Sequence, residues 1–307
     1  MANGFYRMKD PTSSSDKDIS VFYAEAPQEF FKRFSKKNKE AHADRHNELI
    51  NGNVTQTEIK SFFMDNPKEA TKYLSGKASW PKGLAAATEM KDSVSGVHAQ
   101  YSYKKKLSYD EDGFDLDIDR FMDYEFESMW RKMKTTARRK KKPGKVISFL
   151  QNGCDSWNVK PENFIWNGIA LSALADIMEA SGMRTWITLG WAVSSLCKRA
   201  PQGHTNRFFN FIDIKVPEQP LDFEHLVTWS AHPAALRVAI FRSWYNLKWV
   251  VTGSLGKVIQ TNTLERYAKE IMSREFITVP RIYNKNDAIK FLQETLVELG
   301  LADREEE

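Results

Sequence analysis

"KVISFLQNGCDSWNV", residues 145–159, decides how the chain is read. Val146 to Leu150 is an apolar run rich in β-formers, which predicts a short buried strand. It stops at Asn152-Gly153-Cys154-Asp155-Ser156, a cluster of small polar residues that can turn the chain. Pro161 follows at a position suited to the first turn of a helix, where the missing N–H costs nothing. Phe164, Ile165, Trp166, Ile169, Leu171, Leu174, Ile177 and Met178 make that helix apolar around much of its circumference, as expected of a helix laid on a sheet. Gly182 stands where a left-handed cap would end it. "MRTWITLGWAV", from residue 183, then reads as a second strand. Strand, helix and strand make a βαβ unit with parallel strands and a right-handed crossover.

The alternation continues downstream. "NRFFNFIDIKV", from residue 206, predicts a third strand with Phe209, Phe211 and Ile214 inward. "DFEHLVTWSAHPAALRVAIFRSWYNL", from residue 222, is helical with a break near Pro233. "EFITVPRIY" predicts a fourth strand, and "NDAIKFLQETLVELG" a closing helix with Ile289, Leu292, Leu296 and Leu299 at helical spacing. Residues 146–307 are therefore expected to form a three-layer α/β domain on an open, mostly parallel sheet.

Upstream, residues 1–18 read as a polar arm and 19–108 as a mainly helical region. A helical pattern runs from Val21 to about Ile50, with Phe30, Phe31 and Phe34 on its apolar side. Thr55 and Glu58 stand at capping-box spacing, and Pro67 and Pro81 open two further helices. Residues 109–145 read as an acidic strand and a basic linker. In "FDLDIDRFM", Phe114, Leu116 and Ile118 alternate with Asp115, Asp117 and Asp119. Residues 110–127 hold nine acids and one base, and 131–145 hold nine bases and no acid, so the two blocks can neutralise each other.

Composition narrows the class. A chain of 307 residues suits one large or two smaller domains, and 41% hydrophobic residues suffice for a packed core. Nineteen Phe, 10 Tyr and 9 Trp suit broad buried or partner-facing surfaces. Cys154 and Cys197 form no zinc or disulfide pattern, so a reducing, intracellular setting is expected. No secretory signal is visible at the N-terminus, and the most apolar long stretch carries Asp176 and Glu179, so no membrane span is expected.

The polar cluster after the first strand lies where open α/β sheets place their ligands. Its spacing, Asn152-x-Cys154-x-Ser156, resembles the Asp-x-Ser-x-Ser of von Willebrand factor type A domains, a family in which the aspartate and two hydroxyls hold a divalent cation. The resemblance implies the same arrangement for the C-terminal half. A hard cation wants oxygen ligands including a carboxylate. Here an amide replaces the carboxylate, a thiol replaces a hydroxyl, and Asp155 is one position out of register. The cluster therefore reads as the turn of a domain that has lost its metal. No cofactor is expected, and a divalent cation on Asn152, Asp155 and Ser156 is the alternative.

Other constellations have ordinary readings. Asp115, Asp117 and Asp119 begin like a calcium loop, but Arg120 and Phe126 occupy the places of its glycine and glutamate. His42 and His46 are four residues apart, yet Ala43 stands where a zinc protease needs glutamate. His232 precedes Pro233 at a helix start, where an imidazole can be pinned against backbone. The run Arg138, Arg139, Lys140, Lys141 and Lys142 could contact phosphates, but it lacks interleaved aromatics.

Three stretches in order, "SGKASWPKGLA" (75–85), "GFDLDIDRFMDYEFESMW" (113–130) and "SAHPAALRVAIFRSW" (230–244), resemble an uncharacterised family of proteins encoded by phages and prophages. That resemblance implies a viral or mobile-element origin, in the host cytoplasm or the virion, and brings no activity with it. Within these stretches Trp80 and Trp130 read as packing anchors, and Arg237 and Arg242 as partners for the acidic block. The expected function is a non-enzymatic interaction or structural accessory module that has a protein partner or self-assembles. Nucleic-acid binding through 131–145 is the alternative, and a metal-dependent enzyme the third reading.

Overall fold

A computed structural model describes residues 3–9, 18–34, 54–99, 105–110, 115–125, 128–135, 145–155, 159–194, 204–245 and 257–302. In chain order, β1 (Gly4–Lys9), β2 (Asp18–Ala24) and α1 (Pro27–Phe34) come first. The turn α2 (Gln56–Glu58) runs on as a π-helical turn over Ile59–Phe63, before α3 (Pro67–Leu74) and α4 (Pro81–Ala99). Then follow β3 (Lys105–Asp110), β4 (Asp115–Leu116), α5 (Ile118–Met122) and β5 (Trp130–Thr135). The remainder is β6 (Val146–Asn152), α6 (Pro161–Ala180), β7 (Arg184–Ser194), β8 (His204–Lys215), α7 (Phe223–Ala231) and α8 (Pro233–Tyr245). Last come β9 (Lys257–Val258), α9 (Thr261–Met272), β10 (Ile277–Thr278) and α10 (Lys285–Glu298).

The main sheet has the order β1-β2-β8-β7-β6-β10, with β9 paired to β7. β6–α6–β7 is the expected βαβ unit, its strands parallel and in register from Val146 opposite Arg184 to Asn152 opposite Gly190. β10 joins β6, and β2 joins β8, also in parallel. β8 is antiparallel to β7. The connection from Ser194 to His204 is too short for a helical crossover, which forces the chain to double back. The fold is thus mixed α/β on a mostly parallel sheet.

Both faces of that sheet are buried. On one side Ile147, Phe149, Ile187, Leu189, Trp191, Phe208 and Ile212 meet α1, α6, α7 and α8. On the other, Ile19, Val21, Tyr23, Leu150, Phe209 and Phe211 meet Leu264, Tyr267, Ala268 and Ile271 of α9. The Phe209 and Tyr267 rings lie 4.2 Å apart, a contact contributing about 1 kcal/mol beyond the area it buries. Helices α3, α4 and α10 stack outside α6–α8. Between Phe164 and Met178 helix α6 is therefore covered on nearly every side, which explains its lack of a polar face there.

Four sequence expectations need correction. Residues 1–18, read as a polar arm, include β1, and the region read as helical from Val21 begins with β2. "ISVFYA" buries both faces of its strand, so it shows an unbroken apolar run that helical spacing can imitate. "FDLDIDRFM" is not one strand: β4 ends at Leu116, and Asp117 starts α5 by accepting the amides of Phe121 and Arg120. The alternation is a strand end followed by a cap, so the three aspartates share no strand face. β5 lies inside the stretch read as a linker and builds a second sheet, β3-β5-β4. The fourth strand is short, with only Ile277 and Thr278 in its ladder. His42, His46 and Arg138 to Lys142 lie outside the described residues.

Helices α6 and α7 touch through Gly168. A β-carbon there would overlap the Ser230 carbonyl and the Ala231 nitrogen, both backbone atoms that cannot step aside. Ser230 Oγ bonds the Gly168 carbonyl at 3.2 Å and sits 3.0 Å from Ser172 Oγ. Gly168→Ala is expected to destabilise by ~3 kcal/mol, lowering the melting midpoint by roughly 6–10 °C in a calorimetric or circular-dichroism melt.

Candidate functional site

β6 delivers Asn152, Gly153, Cys154 and Asp155 to the carboxyl end of the sheet, where open α/β proteins gather ligands. The Asn152 carboxamide is used at both ends. Its Oδ1 accepts from the Cys154 amide at 3.0 Å, closing the turn. Its Nδ2 donates to the Ile259 carbonyl at 3.3 Å and Thr261 Oγ1 at 3.2 Å, tying the turn to the start of α9. A carboxylate could not donate, so an amide is what this position needs. Cys154 is buried, and burial with help from the Asp155 charge pushes its thiol up to about 12. It is a small hydrophobe, not a thiolate ligand.

Asp155 has partners of its own. Arg281 Nη1 lies 3.5 Å from its Oδ1, and the Tyr283 hydroxyl donates to its Oδ2 at 3.2 Å. Arg237 approaches from α8, close enough for its charge to be felt at Cys154. Two guanidiniums beside one carboxylate repel a divalent cation. Among the described residues, no three His, Cys, Asp or Glu side chains gather to hold a metal ion. Ser156, the remaining candidate ligand, lies outside them.

The second cluster surrounds His232. The imidazole caps α8, its Nδ1 accepting the Ala235 amide at 3.3 Å, so the ring proton belongs on Nε2. Nε2 faces Asp65 Oδ2 at 3.2 Å, a polar contact off the ideal hydrogen-bond line. The rings of Tyr73 and Trp80 flank it at 4.7 and 4.6 Å. Trp80 is buried against the helix start that the sequence placed at His232-Pro233, while Trp130 is half-buried at the head of β5.

Arg237 and Arg242 each find a partner elsewhere, Arg237 at the Val159 carbonyl and Arg242 at Thr71. Both are buried in the helical layer. Arg242 Nη2 donates to Thr71 Oγ1 at 3.1 Å and its guanidinium lies over Phe31. A further polar cluster that the sequence did not single out holds β8 against its neighbours. Asp213 accepts from Tyr23 and Thr188, each at 2.6 Å, and Arg274 stacks on Trp186 nearby. Its members are far apart in sequence and carry no shared motif.

On α5 the reverse occurs, with apolar side chains in solvent. Ile118 is 68% exposed and Met122 67%, one helical turn apart, and Phe121 and Tyr124 are 44% and 80% exposed. Asp123 and Glu125 beside them are also exposed.

Acid should test the His232 cluster. The His232 ring N–H facing it at 3.2 Å holds the Asp65 carboxyl below the usual carboxylate range. The unfolded chain therefore takes up that proton first. The stability this contact contributes is present above about pH 3.9 and is lost as pH falls through the lower folded value. Asp65→Asn keeps the shape and removes the charge. The advantage of wild type over Asp65→Asn in urea unfolding at pH 6 is expected to shrink between about pH 5 and pH 3. A gap independent of pH would contradict the assignment.

The family model described as a domain of unknown function (DUF7192) matches residues 20–303. No curated protein and no solved structure matches the chain.

Proposed function

The chain belongs to the DUF7192 family, and from that premise we propose a non-enzymatic interaction module, an accessory protein of a phage or other mobile element. The observation that carries this reading is the α5 strip. A solvent-facing surface has no reason to present Ile118 and Met122 side by side among acids unless something covers them. The fitting partner is a protein surface with an apolar centre and a basic rim, so that burial supplies affinity and charge supplies register. Asn152 and Asp155 at the sheet rim fit this reading because their side chains are engaged in holding the fold. A von Willebrand type A-like identity for the C-terminal half is supported by β6 as an interior strand parallel to both its neighbours, the βαβ unit it opens, and β8 as an antiparallel neighbour of β7.

Ile118→Asp/Met122→Asp tests the proposal. Both side chains are exposed, so stability should stay within about 1 kcal/mol of wild type. Wild type should capture a protein partner with a basic surface, seen as a complex by light scattering at micromolar concentration, and the double variant should lose it. A wild type that stays monomeric and captures the same proteins as the variant would count against the reading.

The second reading is nucleic-acid binding through 131–145. What favours it is the register of β3 and β5, which sets Lys106 opposite Lys134 and Tyr109 opposite Arg131. Neutralising Arg138 to Lys142 should then weaken binding to random duplex. It should also flatten the salt dependence by about one unit of log–log slope for each phosphate no longer neutralised. Salt-independent binding excludes this reading.

A further inference from the structure

The rim of the main sheet holds a buried cation lacking a full set of partners. Arg237 is 5% exposed. Its Nη2 donates to the Val159 carbonyl at 3.0 Å, and its Cζ lies 3.7 Å from the Phe62 ring centroid and 5.4 Å from that of Phe164. These contacts fix the plane of the guanidinium, yet among the described residues Nη1 has no hydrogen-bond partner. Burial lowers its pKa to about 10, which leaves it a cation at neutral pH. The carboxylate whose field reaches it, Asp155, is held by Arg281 and Tyr283. A desolvated charge with an unmet donor is costly, and such a cost persists where something else supplies the acceptor.

Its position indicates the kind of acceptor. Val159 leads directly into α6, a helix of 20 residues whose N-cap, Lys160, makes no side-chain capping bond. The positive end of that helix dipole and the unmet Nη1 of Arg237 therefore lie together at the carboxyl end of β6. The electrostatics that repel a metal here attract the opposite charge.

We propose that Arg237 and the first turn of α6 bind a small oxyanion, a phosphoryl or carboxylate group carried by a ligand. The guanidinium offers Nη1 as a charge-assisted donor, and the helix end supplies a favourable field. Glu162, exposed in the first turn of α6, opposes the anion and moderates its affinity. This site is separate from the α5 strip, so either proposal can fail without the other.

Titration calorimetry of the full chain with sodium phosphate and with sodium acetate, each against sodium chloride at matched ionic strength, tests it. A saturable one-site heat is expected with one of the two anions. Phosphate alone would identify a phosphoryl group and acetate alone a carboxylate. Saturable binding rather than a raised melting midpoint is the criterion, because phosphate stabilises proteins without a site. Arg237→Met should abolish the heat. Absence of saturable binding by both anions, or its survival in Arg237→Met, would overturn the proposal. Should Arg237→Met fail to fold, Glu162→Gln serves instead. Removing that charge should tighten binding by roughly two- to fivefold, and unchanged or weaker binding would overturn the site.

Discussion

Between Gly168 and the Ser230 backbone there is no space for a β-carbon, and much of the molecule follows from that approach. Helix α7 can cross α6 closely only because glycine and serine line the crossing, with Ser172 and Ser230 bonding within it. The close crossing brings α7 down onto the same side of the sheet as α6, and α8 follows after the single break at His232. With α7 and α8 in place, Trp191, Trp229 and Phe30 interlock below them, while α3 and α4 cover them from outside. The N-terminal helices are thus an outer layer of the same core rather than a separate body, and β1 and β2 extend the same sheet.

The carboxyl end of β6 carries amides and guanidiniums where a cation site would need free carboxylates. Binding of a hard cation requires carboxylates that are free to turn toward it. Asn152 spends its amide on the turn and on α9, Asp155 is held by Arg281 and Tyr283, and Arg237 adds a second positive charge. Each replacement alone weakens a cation site. Together they leave a rim that disfavours cations electrostatically, while Arg237 keeps one donor unmet.

Legibility in the sequence follows the range of the interactions. β6, α6, β7 and the α7–α8 break are readable because each rests on local pattern, a strand-length apolar run or a proline and glycine at helix ends. The turn character of Asn152 to Asp155 is readable for the same reason. Arg281 and Tyr283 beside Asp155, Asp65 beside His232, and Tyr23 beside Asp213 are not, because a polar contact across more than a hundred residues leaves no local mark. β2 escapes because both its faces are buried, which removes the alternation by which strands are recognised. α5 misleads because Asp117 caps a helix at the position where a continuing strand would place its next acid.

α5 and the interior follow opposite rules, and the contrast bears on recognition. Inside, even the buried cations have acceptors, Lys215 at the Glu179 carboxylate and the Val216 carbonyl and Arg242 at the Thr71 hydroxyl. On α5, Ile118 and Met122 remain in solvent although a large apolar core lies within the same chain. Asp117, which bonds to the Met129 carbonyl and to the start of the helix, holds that turn in shape before anything binds. A strip fixed in this way loses little conformational freedom on association, so modest apolar area can give useful affinity. On the proposed reading, the acids around it would oppose self-contact between like-charged strips and favour a basic partner, with charge setting partner choice and apolar burial supplying binding strength.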